Sequence, residues 1–441
     1  MDEKAALQDF PGGRSVQTYP SAPPAPKSSF RGWILLLGSL LAGGWFLWPH
    51  SCQLARVRTL TIEDRVQNIL TTTPLIDGHD DFPIQIRARF HNHINSPNFT
   101  DSFRHGTLPG HVDLPRLKKG QVGGTFWSVY VPCPEGWEDF SDETYAPSRS
   151  HVAHPEDLPG CLLDAPQWHH GSGCIPERQD HLPYGIEGLQ SIGNSLAHLR
   201  MFYDMGVSYA TLTHNCHNKY ADAAIVEQPD GSLRTATPLW HGVSPAGQKV
   251  VAEMNRLGMM VDLAHVSVET MRDVLGAGKT EWTGSRAPVI FSHSSAHALC
   301  PHPRNVPDEV LKLVRQRNSI VMVNFAPDFI SCHASDREDG MPEVDYDQAT
   351  LERVADHIMH IGTVAGFDHV GLGSDFDGIP TVPKGLEDVS KFPDLIAELL
   401  RRGLTDAEAA KVAGGNLLRV WREIDQVALQ MQAEGVLPGE D

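Results

Sequence analysis

Eight short apolar runs, most stopping on a His, Asp, Glu or Asn and many followed by a helix-like segment, predict an α/β chain closed into a (β/α)8 TIM-type barrel. Two further observations support that class. The runs are β-rich and continuously apolar, as strands covered on both faces are. The chain has 441 residues, 41% of them hydrophobic, which is enough to enclose such a barrel. An open doubly wound sheet is the alternative that periodicity leaves.

From the amino terminus, residues 1–32 are rich in Pro, Ser and Ala without apolar periodicity and read as a disordered cytoplasmic tail. Trp33 to Trp48 carries no charge, and residues 33–49 read as a transmembrane signal anchor. A helix of that length spans about 24 Å against roughly 30 Å of hydrocarbon, a gap that Arg31 on one side and Trp45 and Trp48 on the other help to close. A cleaved signal peptide fits less well, because the leader is long and Trp45-Phe46-Leu47-Trp48 stands where small residues belong. The expected topology is single-pass type II, with the folded domain lumenal or extracellular. Residues 50–69 then form a stalk, 70–425 the barrel and 426–441 a polar tail. The sequon at Asn98 marks a glycosylation site in such a compartment.

The strand runs are 74–79, 125–130, 184–187, 208–214, 259–265, 288–293, 320–324 and 369–375. Between them Ser244 caps a helix over Pro245–Leu257 that Gly258 ends, and 347–364 carries Leu351, Val354, Ile358 and Ile361 on one stripe. Thr405-Asp406-Ala407-Glu408 is a capping box opening a helix toward Trp421. Residues 134–183 hold seven prolines and little periodicity. They read as an irregular lid or as a misread portion of the gene.

The net charge of −19 gives no basic surface, so nucleic acid is not expected as a partner. None of the seven cysteines form Cys-x-x-Cys, which removes zinc-finger and thioredoxin-type readings. The 23 histidines direct attention to metal sites.

A barrel brings the carboxyl ends of its strands to one rim, and so gathers His79, Asp81, Glu187, His214, His265, His293 and Asp375 around one mouth. His79-x-Asp81 sets an imidazole and a carboxylate on one side of an extended chain. His265 and His293 end neighbouring strands, and Glu187 has two oxygens with which to bridge two ions. Imidazole and carboxylate without thiolate suit catalytic Zn²⁺, and a pair of ions would activate a bridging hydroxide. Asp375 is left free to carry a proton. Arg304, in the loop after His293, either pairs with a substrate carboxylate or forms an ordinary surface salt bridge. His91, His93, His169 and His170 read as surface or loop.

Several strings, among them Leu75-Ile76-Asp77-Gly78-His79-Asp80-Asp81, Val261-Asp262-Leu263-Ala264-His265-Val266-Ser267, Phe291-Ser292-His293-Ser294-Ser295 and Gly373-Ser374-Asp375-Phe376-Asp377-Gly378, resemble the membrane dipeptidase (renal dipeptidase) family of amidohydrolase-like metallohydrolases. The resemblance covers about 70–133 and 184–425. It implies a (β/α)8 barrel that hydrolyses dipeptides to free amino acids with two zinc ions. His79 and Asp81 would hold one ion, His265 and His293 the other, and Glu187 would bridge them. Asp375 matches the proton-transferring acid, His214 the carbonyl-side histidine and Arg304 the carboxylate-binding residue. Disulfides Cys133–Cys216 and Cys300–Cys332 are implied as well. The oligomeric state stays open, with a homodimer as one outcome. Two departures stand out. Asp80 replaces the family's usual Asn and is expected to add charge beside the site. Gly188-Leu189-Gln190 follows Glu187 where a His is common. The rival functions are another amidohydrolase reaction on a lactone, carbamate or imide, and a catalytically impaired binding module.

Overall fold

The computed structural model describes residues 60–134, 183–278 and 281–441. Residues 1–32, read as a tail, residues 33–49, read as a signal anchor, nearly all of 134–183 and His169-His170 lie outside the described residues. Among the described residues no helix is long and apolar enough to cross a membrane.

All eight expected runs form strands: β1 (Leu75–Asp80), β2 (Val122–Tyr130), β3 (Tyr184–Glu187), β4 (Val207–Thr211), β5 (Met260–Asp262), β6 (Ile290–Phe291), β7 (Ile320–Val323) and β8 (Val370–Leu372). Each pairs in parallel with its neighbours, and β8 pairs back onto β1, so the sheet closes. The register aligns the strand ends: Tyr130 opposes Glu187, Glu187 opposes Thr211, and Thr211 opposes Asp262. The polar residues that stop each run therefore arrive at the same height.

Inside the barrel, Ile76, Phe126, Tyr209, Met260, Ile290, Ile320 and Met322 pack into one cluster. Leu417, Val420, Trp421 and Ile424 of the helix Asn416–Ala433 complete that cluster from outside the sheet. A ring of Tyr209 fits the centre because β3 carries Gly185 opposite it, where any Cβ would fall inside the ring. The outer helices cover the other strand faces. Pro245–Leu257 has its Ser244 cap, accepting from the Gly247 N–H, and ends at Gly258 in the left-handed region, as its sequence dictates.

Four boundaries move. The segment read as a stalk holds the helix Ile62–Thr72, fixed by a Thr61–Asp64 capping box and buried through Val66, Ile69 and Leu70, so the domain begins before residue 70. The helix expected over 347–364 spans Leu351–Ala365, because Thr350 caps it by accepting from the Arg353 N–H, while Tyr346–Gln348 forms a separate 3-10 turn. The Thr405–Glu408 capping box forms, but a π-helical turn at Lys411–Gly415 divides the helix there and brings Gly414 against the Pro74 carbonyl, an approach only glycine permits. The polar tail is helical to Ala433, with Ala428 and Met431 buried. Beyond it, the Gly439 N–H donates to Glu253 and the Asp441 carboxylate accepts from the Leu196 N–H.

Candidate active site

The rim brings together the residues the barrel requires it to. His79 Nε2 lies 3.4 Å from Asp81 Oδ2 and 3.6 Å from Glu187 Oε1. The same Glu187 oxygen lies 2.9 Å from His265 Nε2 and 3.5 Å from His293 Nε2. The latter two nitrogens are 3.0 Å apart. Three overlapping sets, His79–Asp81–Glu187, Glu187–His265–His293 and His79–His293–Asp375, each keep their ligand atoms within 4.8 Å of one another. Asp375 thus sits closer to the histidines than a detached proton carrier needs to. Two backbone positions at the rim, His265 and Asp375, are in the left-handed region with φ of 67° and 64°, which turns their side chains into the mouth.

The second nitrogen of each imidazole decides whether a cation fits. His265 Nδ1 is 3.1 Å from Asn215 Oδ1 and His293 Nδ1 is 2.8 Å from Ser292 Oγ, both able to accept. His79 Nδ1 is 3.2 Å from the Tyr209 hydroxyl. With Nδ1 donating, every Nε2 presents a bare lone pair, and three of them converge on Glu187 and Asp81. His79 Nε2 and Asp81 Oδ1 are buried without a hydrogen-bond partner. Lone pairs and carboxylate oxygens crowded in this way repel unless positive charge lies between them, so the donor set fits a metal.

The electrostatics agree. Burial pulls the His79 imidazole down, but the Asp81 and Glu187 carboxylates outweigh it and lift it to about 10. Burial pushes Glu187 up to about 8 against the pull of His79. Protons are held where a cation would otherwise balance the carboxylates. Burial, reinforced by Arg304 at His265 and by His79 at His293, keeps both well below the ordinary imidazole range, in the neutral form that can accept a metal.

The remaining rim residues surround this centre. His214 Nε2 is 4.0 Å from Glu187 Oε1, its ring lies 4.5 Å from that of Tyr130, and burial holds its pKa down at about 3. Burial raises Asp375 to about 6 against the pull of His79, and the Asn324 side-chain amide donates to its Oδ2 at 2.9 Å. Arg304 is not a surface residue: it is 3% exposed, with its guanidinium 5.0 Å from the centroid of the Phe329 ring. His91 and His93 are exposed, as read. Asp80 is fully buried. Burial, then Asp377 and Asp77, push its carboxyl well above the ordinary range and favour the neutral acid, which gains an O–H donor beside its acceptor oxygens. Gln190, in place of the expected His, is buried and donates to the Val131 carbonyl.

Both implied disulfides, Cys133–Cys216 and Cys300–Cys332, are formed, with Cα atoms 6.1 Å and 4.8 Å apart. Asn98 is exposed on the helix Pro97–His105, which Phe99 anchors in the core. The sequence reading assigned no role to Tyr209, Asn215, Asp262, Ser292 or Asn324. Their signal was a polar side chain at or near the end of an apolar, doubly covered strand, where it must find a partner.

A sequence model described as membrane dipeptidase (peptidase family M19) matches residues 63–435. The chain is 44% identical over 385 residues to a dipeptidase of Aspergillus oryzae, aclJ, covering 85% of this chain and 83% of that one. It is also 44% identical over 386 residues to an uncharacterized dipeptidase of Schizosaccharomyces pombe, covering 83% and 85%. Among solved structures it resembles a metallopeptidase from Rhodobacter sphaeroides liganded with a phosphinate mimic of the dipeptide L-Ala-D-Ala, at 28% identity and a TM-score of 0.60, covering 80% of this chain and 99% of that one. A probable dipeptidase from Pseudomonas aeruginosa, PvdM, shares the fold at 22% identity and a TM-score of 0.65, covering 83% and 99%.

Proposed function

Because this chain belongs to the membrane dipeptidase family, peptidase family M19, and is a metal-dependent dipeptidase, we propose that it cleaves dipeptides at the rim centre with two zinc ions held by its own side chains. His79 and Asp81 would hold one ion and His265 and His293 the other, with Glu187 placed to serve both. The observation that carries this reading is the three overlapping sets of buried imidazole nitrogens and carboxylate oxygens, each within 4.8 Å of one another, beside a buried guanidinium. When bound, such ions supply Lewis acidity and a nucleophile that is active at neutral pH.

The chain's own residues do the rest. The Arg304 guanidinium receives the dipeptide's free carboxylate in a two-pronged contact and so sets the distance to the scissile bond. A longer peptide has no carboxylate at that distance. His214, kept neutral by burial, offers an N–H to the carbonyl oxygen as negative charge develops there. Asp375, raised toward neutrality and steadied by Asn324, takes up the proton that the attacking water gives up and passes it to the leaving amine nitrogen as the C–N bond breaks.

Two disulfides and an exposed sequon support placing the domain on the lumenal or extracellular side, with residues 33–49 as its anchor. The similarity to a protein that binds a mimic of L-Ala-D-Ala makes that dipeptide a suitable first substrate. The test is metal analysis of the purified full chain alongside turnover of L-Ala-D-Ala and of Gly- and Ala-containing dipeptides. Zinc content near two per chain with turnover is expected; zinc near zero with no turnover overturns the reading.

A further inference from the structure

Beneath the rim, Asp262 at the end of β5 is fully buried and accepts four hydrogen bonds. Its Oδ1 takes the backbone N–H groups of Ala264 at 3.0 Å and Ser292 at 2.8 Å. Its Oδ2 takes the hydroxyls of Thr211 and Ser292, each at 2.6 Å. The backbone groups can only donate to Oδ1, and both hydroxyls are directed as donors at Oδ2, so Asp262 accepts from all four and takes the single Ser292 proton. The Ser292 oxygen also lies 2.8 Å from His293 Nδ1. With its proton already given away, that oxygen can only accept, and His293 Nδ1 must carry the hydrogen.

We propose that Asp262, acting through Ser292, is a positioning residue that locks His293 in its Nδ1–H form and presents a bare Nε2 to the rim centre. The inference deepens the two-ion reading above and rests on it for its consequence. The lock is specific to one ion position. His79 is backed by the Tyr209 phenol and His265 by the Asn215 amide, and among the described residues the hydrogen bonds to Asp262 come from Thr211, Ala264 and Ser292 instead. Carboxylate, hydroxyl and imidazole form one chain across strands β5 and β6, which pair through Asp262 and Ile290.

An amide cannot replace this carboxylate. In Asp262→Asn the new NH2 must face either the two backbone N–H donors or the two hydroxyls. In the second arrangement Ser292 accepts from the amide, turns its own proton toward His293 and forces Nε2 to hold the hydrogen. In the first, two donors oppose a donor and the rim is pushed out of register. Ser292→Ala removes the link directly.

The test uses the full chain loaded with zinc and titrated with a chelator, on the wild type, Asp262→Asn and Ser292→Ala. Loss of one ion at about 10–100-fold weaker affinity, with the other unchanged, is expected from the removal of a ligand's hydrogen-bond partner. Equal weakening of both ions, or no weakening with only a lower melting temperature, overturns the proposal. Nitrogen NMR of histidine-labelled, metal-free wild type gives a second readout that needs no variant to fold. A His293 signal with the proton on Nδ1 is expected, and a proton on Nε2 overturns the proposal. A wild type that binds no zinc overturns the two-ion reading, and the NMR measurement then decides the lock by itself.

Discussion

Replacing Arg304 with alanine should abolish the preference for substrates with a free carboxylate. The guanidinium has five N–H donors. Among the described residues its side chain makes one hydrogen bond, a 3.4 Å contact from Nη2 to the His293 carbonyl, and its Nε is buried without a partner. Burial lowers its pKa to about 10, which still leaves it charged at neutral pH. A cation held this way has donors to spare for a ligand. Each hydrogen bond to a charged group is worth about 1.5–3 kcal/mol. Two such bonds at the lower end give about 3 kcal/mol, or about 100-fold in kcat/KM at 1.4 kcal/mol per decade. The assay compares L-Ala-D-Ala with its carboxyl-terminal amide for wild type and variant. Wild type should favour the free acid by about 100-fold, and Arg304→Ala should cut the acid's kcat/KM by that factor while leaving the amide nearly unaffected. Arg304→Lys should fall between them, since an ammonium keeps the charge but loses the planar fork. An acid-to-amide ratio unchanged by Arg304→Ala would refute the reasoning and would favour a hydrolase that does not read a carboxylate.

Asp375→Asn should lower kcat by at least about 100-fold with metal content intact, as loss of a general acid does; loss of zinc in elemental analysis would instead make Asp375 a ligand, which its place beside His79 and His293 permits. Glu187→Gln should weaken both ions in a chelator titration, because its one oxygen lies within 3.6 Å of the imidazoles of both proposed positions. Gly185→Ala forces a methyl into the Tyr209 ring and should cost about 1–3 kcal/mol in urea unfolding, with weaker binding of the ion next to His79. His357, far along the chain from the metal residues, gives a pH prediction. It accepts from the Ala296 N–H at Nδ1 and so must donate from Nε2 to the Ile330 carbonyl. Burial holds its pKa down at about 4. A histidine lowered from 6.5 stabilises fully above 6.5, and that contribution, about 3 kcal/mol, is lost as the pH falls toward 4. His357→Gln, able to accept and donate at the same two places, should flatten the stability profile between pH 6.5 and 4.

The path of the chain around the barrel was legible because each strand is covered on both faces, and a continuous apolar run has few other uses. The terminal residue of each run was legible for the same reason: His79, Glu187, His293 and Asp375 are costly to bury and stand out against Val and Ile. Helix limits were less so. Thr350, rather than Asp347, sets the start of its helix because the cap depends on which hydroxyl reaches a backbone N–H. The terminal helix reads as polar along the sequence because only one stripe of it, down to Met431, meets the domain.

Local order along the chain, then, determined which side chains reach the rim, since strand period and length are properties of neighbouring residues. What those side chains do there was decided by folding. The neutral bias of Asp80, the burial of Arg304 and the direction of the His293 proton each depend on groups tens to hundreds of residues away. Charge and proton position respond to what lies within a few ångströms, and only the closed barrel fixes that.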